Sequence, residues 1–150
     1  MLARMMSQSL PWTRYQISEG AAHRLWWDAF ATAATVVVAR VGGQTVGFAW
    51  YVERGGFGLG GYLKLIGVDA TTRGQGVGGA LLEHVEWLTV QQGQRDLFLL
   101  VSDFNTAAQK FYEARGYQRV GEIPDFVAPG ISELICRKRL VITGSDREEE

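Results

Sequence analysis

Over the first 34 residues apolar side chains recur at helical spacing, and from residue 35 onward they gather into β-branched runs. Leu25, Trp26, Ala29 and Phe30 share one face of a helix predicted over Ala21–Ala34, with Ser18 and Glu19 ahead of it. The aromatic cluster Trp26, Trp27 and Phe30 reads as core packing. Met1–Ser9 reads as a shorter helix, interrupted by Pro11. Thr35–Val41 and Thr45–Glu53 form a hairpin around Gly42-Gly43-Gln44. Arg54–Gly61 holds five glycines and Phe57, and reads as a mobile loop before a third strand, Tyr62–Val68.

The second half alternates. A loop over Asp69–Gly76 opens a helix at Val77–Gln91, whose apolar stripe is Val77, Leu81, Val85 and Leu88 and which Gly93 follows. Asp96–Val101 is a buried strand. Asn105 caps a second helix over Thr106–Arg115, and Gly116 ends it. Tyr117–Glu122 and Ile131–Leu140 are the last two strands, separated by Pro124 and a Pro129-Gly130 turn. The strand–loop–helix–strand unit over Tyr62–Val101 implies one parallel pair with a right-handed crossover. The expected architecture is a mixed α/β sheet with helices on both faces.

Composition narrows the function classes. At 150 residues, 47% hydrophobic and 21% charged, the chain suits one domain, over 1–142. Fifteen basic and sixteen acidic residues give a net charge of −1. Thr143–Glu150 nets −3 and reads as a disordered acidic tail, which leaves the other 142 residues at +2. No basic excess points to nucleic acid. No apolar run reaches the roughly 18 residues of a membrane span, so no membrane partner and a cytoplasmic setting are expected. The lone Cys136 excludes an internal disulfide and a multi-cysteine zinc site and reads as a small buried hydrophobe; no metal is expected.

The chemistry gathers at Arg73-Gly74-Gln75-Gly76-Val77-Gly78-Gly79. A buried strand runs into a glycine-dense loop that opens an amphipathic helix. Helix N-termini offer unpaired N–H groups and a positive dipole end, and glycines let a phosphate approach the backbone. Arg73 adds a charge-assisted donor. Gly74, Gly76 and Gly79 also fit a dinucleotide fingerprint, but the next strand ends Leu99-Leu100-Val101 without the acid that fingerprint needs.

The spacing of Arg73, Gly76 and Gly78 after a strand ending in Val68 resembles the acetyl-CoA loop of the GNAT family of N-acetyltransferases. Asn105-Thr106-Ala107-Ala108-Gln109-Lys110-Phe111-Tyr112-Glu113-Ala114-Arg115-Gly116-Tyr117 is similar to that family's second signature. The resemblance covers about Thr35 to Leu140. It implies the acyl-CoA N-acyltransferase fold, whose central sheet is mixed and mostly antiparallel. It also implies acetyl-CoA as co-substrate, with its pyrophosphate on the amides of Arg73 to Gly79. Ile66 and Val68 would flank the pantetheine arm, with the Val68 amide on the thioester carbonyl, and Asn105 would contact the coenzyme. Tyr112 would bind there too and act as general acid: an ordinary phenol stays protonated at neutral pH and can donate to a leaving thiolate.

The implied reaction is acetyl transfer to a primary amine, with a small-molecule acceptor. A non-catalytic acyl-CoA-binding module and a protein N-terminal acetyltransferase are the competing readings. Members that resemble the ribosomal-protein enzymes carry a glutamate where this chain has Leu100. Glu53, Asp69, Asp103 and Asp125 remain as acidic candidates for a base, beside a water-mediated one. The acceptor pocket is expected from Pro11–Tyr15, Gly55–Gly61 and Asp125–Ile131. Family members open on a strand, whereas Met5-Met6-Ser7-Gln8 is already helix-like. The first strand is therefore expected to be absent or to lie upstream of this start, and such a sheet edge favours a homodimer.

Overall fold

The computed structural model describes residues 1–31 and 34–141; the expected tail at 143–150 lies outside them. Two helices come first, α1 (Leu2–Ser7) and α2 (Glu19–Ala31). The hairpin β1 (Thr35–Val41) and β2 (Gln44–Gly56) leads to β3 (Gly60–Val68) and a single 3-10 turn at Ala70–Thr72. Then follow α3 (Val77–Gln91), β4 (Asp96–Ser102), α4 (Thr106–Glu113), β5 (Gln118–Ile123) and β6 (Glu133–Arg139). The six strands lie in the order β1-β2-β3-β4-β6-β5. Only β3 and β4 are parallel. The sheet is thus mixed and mostly antiparallel, as expected.

Alternate residues of β2 feed two cores. Ala49 and Tyr51 join Leu81, Leu82 and Val85 of α3 and Leu97 and Leu99 of β4 on one face. Phe48 and Trp50 meet Ala3 and Met6 of α1, and Ala22, Trp26 and Ala29 of α2, on the other. Helices therefore cover both faces. Phe48 and Met6 are all but fully enclosed, and each such side chain contributes about 1.5–3 kcal/mol by leaving water.

Two expectations need correcting. Trp27 and Phe30 do not enter the core; they are 78% and 61% exposed. The buried row of α2 is Ala22, Trp26 and Ala29, and of the three aromatics it is Trp26 that packs on Phe48 and Trp50, with ring centroids 4.9 and 5.8 Å away. Trp27 points about 100° away from it around the helix. The stretch Arg54–Gly61 is mostly strand rather than loop, with Gly56 paired to Gly60 across a short turn. Its glycines are demanded by packing: a Cβ on Gly56 would sit 2.5 Å from the Phe98 ring, and one on Gly60 2.6 Å from the Asp96 carbonyl.

Candidate active site

The parallel pair is short. Gly61, Tyr62 and Leu63 face Leu97, Phe98 and Leu99, and the pairing stops there. At that point β3 carries a bulge: Tyr51 faces Leu63 and Trp50 faces Leu65, which leaves Lys64 as the extra residue. A bulge bends its strand and re-aims the side chains beyond it. Past Lys64 the strands part, and the wedge between Leu63–Ile66 and Leu99–Ser102 is part of the wall of a cavity of about 510 Å³. Its size is that of a small-molecule site. Pro11, Trp12 and Tyr15 close one side, Asn105 and Tyr112 another, and Phe126 and Val127 the rim. The expected contributions of Pro11–Tyr15 and Asp125–Ile131 are thus present. That of Gly55–Gly61 is not: this hairpin end packs against Asp96 and Phe98, where β4 begins, while the cavity opens where β4 ends.

The helix α3 starts beside the end of β3, with Gly78 next to Val68. Its N-cap is Gly76 in the left-handed region, φ 83°, with no side-chain cap. The first backbone bond of the helix runs from the Ala80 amide to the Gly76 carbonyl, 3.0 Å. The amides of Val77, Gly78 and Gly79 therefore have no partner within the helix. Arg73, Gly74, Gln75 and Gly76 are exposed beside them. Arg73 donates from Nη2 to the Ser9 hydroxyl, 3.0 Å. Asp69 shapes the loop from below, with Oδ1 accepting from the Thr71 amide at 2.9 Å and hydroxyl at 2.6 Å. Those hydrogen bonds hold its carboxyl below the usual range.

The second segment meets the first at Phe111. A Cβ built on Gly78 would lie 3.5 Å from the Phe111 ring and 3.6 Å from Val68 at the end of β3. The Arg115 guanidinium sits 3.8 Å from the centroid of the Phe111 ring. Asn105 caps α4 by accepting from the Ala108 amide, 3.2 Å, and also lines the cavity. Tyr112 is buried, packs its ring on Phe111 and Tyr117, and lines the cavity with Ile66. Its hydroxyl makes no hydrogen bond to the described residues. Burial pushes its pKa up, so the phenol stays protonated.

The four acidic candidates lie outside the cavity wall. Asp69 caps the 3-10 turn, Asp103 accepts from the Ser132 amide at 3.0 Å, and Asp125 accepts from the Gly130 amide at 2.6 Å. Glu53 is exposed on β2. The carboxylate that does line the cavity is Glu133, at the start of β6, only 4% exposed. Ser102 stands opposite it across the β4–β6 pair, with Oγ donating at 3.1 Å to Oε1 and 3.2 Å to Oε2. The Tyr15 hydroxyl donates to Glu133 Oε1 and lies 2.7 Å from Ser102 Oγ. Burial, and then the hydrogen bond to Glu133, raise the Tyr15 pKa to about 12, which keeps it a donor. Glu133 is not marked by any motif or spacing in the sequence. The only local hint was a lone carboxylate heading the apolar run Leu134-Ile135-Cys136. Cys136 itself is buried beside Leu99, and desolvation pushes its thiol up, away from nucleophile chemistry.

The fold and the two signature segments define a class, and the chain belongs to it: residues 2–117 match the acetyltransferase (GNAT) family. A mycothiol acetyltransferase from Salinispora tropica is 36% identical over 97 residues, which are 63% of this chain and 31% of that protein. The chain thus spans about a third of the length of that relative. The crystal structure of a protein described as a GNAT-family acetyltransferase from Desulfovibrio desulfuricans superposes with a TM-score of 0.76 at 22% identity, over 93% of this chain and 92% of that one. An aminoglycoside 6′-N-acetyltransferase complexed with coenzyme A superposes with a TM-score of 0.75 at 17% identity, over 95% and 91%. At these identities the two structures establish the shared fold.

Proposed function

We propose that the chain is an acetyl-CoA-dependent N-acetyltransferase that acetylates a primary amine on a small molecule, with Tyr112 as general acid. One observation carries the reading. The uncapped start of α3 packs through Gly78 against Val68 at the end of β3 and Phe111 of α4, and the next residue of α4, Tyr112, lines the cavity where β3 and β4 part. The first is an anion site of backbone amides and the second a protonated donor beside a mostly apolar cavity.

In this reading Arg73, Gly74, Gln75, Gly76, Val77, Gly78 and Gly79 hold the coenzyme's phosphates, with Ser9 fixing Arg73. Ile66 and Val68 flank its arm, and Asn105 contacts it while capping α4. Acetyl-CoA supplies an activated acetyl thioester. Tyr112 gives its proton to the departing sulfur, which its unbonded hydroxyl leaves it free to do. A cavity of about 510 Å³ suits a small acceptor, and two similar proteins carry small molecules in their names, a mycothiol acetyltransferase and an aminoglycoside 6′-N-acetyltransferase.

The test is turnover of acetyl-CoA with a library of amines, followed as free thiol. Tyr112→Phe should lower kcat about 100-fold or more. Full activity in that variant would remove Tyr112 from the assignment. Tight acetyl-CoA binding without transfer to any amine would leave a coenzyme-binding module instead.

A further inference from the structure

We infer that Glu133, clasped by Ser102 and Tyr15, is the acceptor-side carboxylate of the cavity: it receives the protonated amine and takes its proton before attack. The inference rests on the N-acetyltransfer reading above and supplies the acceptor half that the loop residues leave open.

Glu133 is almost fully buried, yet no cation pairs with it among the described residues. A buried carboxylate without a counter-charge is costly to keep. Two hydroxyls hold it, each with one proton to give, while a carboxylate offers about four acceptor positions. Acceptor capacity is left over, and the residue lines the cavity. Among the described residues that line the cavity only Lys64 and Glu133 are charged, and Lys64 is exposed with its Nζ 4.1 Å from the centroid of the Trp50 ring. Leu100, Leu65, Trp12 and Phe126 make the surrounding wall apolar. One enclosed negative charge in an apolar cavity selects an ammonium group on an apolar body.

The strand register explains where the charge comes from. Leu100 stands opposite Ile135, and two residues further along the same strands Ser102 stands opposite Glu133. The carboxylate thus reaches the cavity from β6, while Tyr112 reaches it from α4. Two groups that handle protons line one cavity, one ready to accept and one to donate.

The proton count closes. An alkylammonium has three N–H protons and the product amide has one. The first goes to Glu133 and from there to solvent. The neutral nitrogen forms the C–N bond to the acetyl carbon, and the C–S bond breaks. Tyr112 gives its proton to the sulfur and is restored by the second nitrogen proton. The products are the amide, the free thiol of coenzyme A and one proton.

The test uses the full chain and Glu133→Gln, which keeps the shape and removes the charge. The binding probes are 2-phenylethylamine and its neutral isostere 2-phenylethanol, titrated calorimetrically at millimolar concentration with coenzyme A present. The native chain should bind the amine at least tenfold more tightly, and the variant should lose that preference. In turnover at pH 7, Glu133→Gln should lower kcat/KM about 100-fold or more for alkylamines. It should lower it less than tenfold for aniline, which has no proton to remove before attack. Tyr15→Phe, which deletes one donor and keeps the ring, should show the same selectivity with about a tenfold loss. Equal losses on both acceptor classes, alkylamine turnover within threefold of native, or the absence of an amine preference would each overturn the inference. An amine preference abolished by Glu133→Gln, with no transfer to any amine by the native chain, would keep the cation site and sink the acetyltransfer reading instead.

Discussion

Replacing Gly76 and Gly78 by alanine, one at a time, tests whether the coenzyme sits on the open side of the α3 start. Gly76 is the N-cap with φ 83°. An L-residue held there costs about 1–2 kcal/mol, or about 2–8 °C of melting temperature for a chain of this size. Space is not the obstacle, since nothing lies within 4 Å of an added Cβ. The strain would instead displace the amides that follow. Losing one charge-assisted hydrogen bond costs about 1.5–3 kcal/mol, so the acetyl-CoA Kd should rise about 10- to 150-fold. Gly78 has ordinary helical backbone, and its Cβ would rest against Phe111 and Val68 at 3.5 and 3.6 Å. That is van der Waals contact on the inner side of the helix, away from the open loop. Alanine there should stabilise the fold by about 0.4–1 kcal/mol through the unfolded chain, with the Kd changed less than about threefold. Thermal melts of the free protein and calorimetric titration with acetyl-CoA read both quantities. If Gly78→Ala melts at or above native yet binds tenfold more weakly, the ligand does not lie on the open side and the reasoning is wrong. If Gly76→Ala melts like native, the left-handed cap is not a constraint.

Tyr112→Phe should melt within about 2 °C of native, because its hydroxyl has no hydrogen bond to lose among the described residues; a drop of 5 °C or more would reveal a structural partner. Glu86 joins α3 to the sheet by accepting from Lys138 Nζ at 2.9 Å and Tyr117 Oη at 3.0 Å, and Glu86→Ala should destabilise by about 1–3 kcal/mol, seen as a lower urea midpoint. The hydrogen bond from Arg139, and then the charge of that side chain and of Arg137, hold the Asp96 carboxyl below its ordinary value. Its stabilising contribution is therefore complete above the ordinary carboxylate range and is lost as pH falls through the depressed pKa. The melting advantage of native over Asp96→Asn should be full at pH 6–7 and shrink below about pH 4; a constant difference down to pH 2 would contradict it.

Much of α3 and α4 was legible because the causes are local. The helix α3 was readable to its ends, since a glycine-rich start and a regular apolar stripe act within a few residues. Asn105 and Gly116 marked α4 by cap chemistry and by a left-handed φ of 88°. Errors came where packing decided. Trp26, Trp27 and Phe30 are equally apolar, and only the space above Phe48 and Trp50 selects the one that is buried. The glycines of residues 55–61 suggested freedom, yet Phe98 and the Asp96 carbonyl crowd them into strands.

The sequence by itself determined the family and the uncapped, glycine-rich start of α3, because such a helix start needs only neighbouring residues to form. The surroundings of Glu133 were decided by the tertiary structure. Glu133 becomes a buried, cavity-facing carboxylate only because β6 lies beside β4, setting it against Ser102, 31 residues away in the chain, and because the segment after α1 brings Tyr15 to it across 118. The bulge at Lys64 lies where β3 parts from β4 and the cavity opens. None of these neighbours is near in sequence, so no periodicity or spacing could announce them.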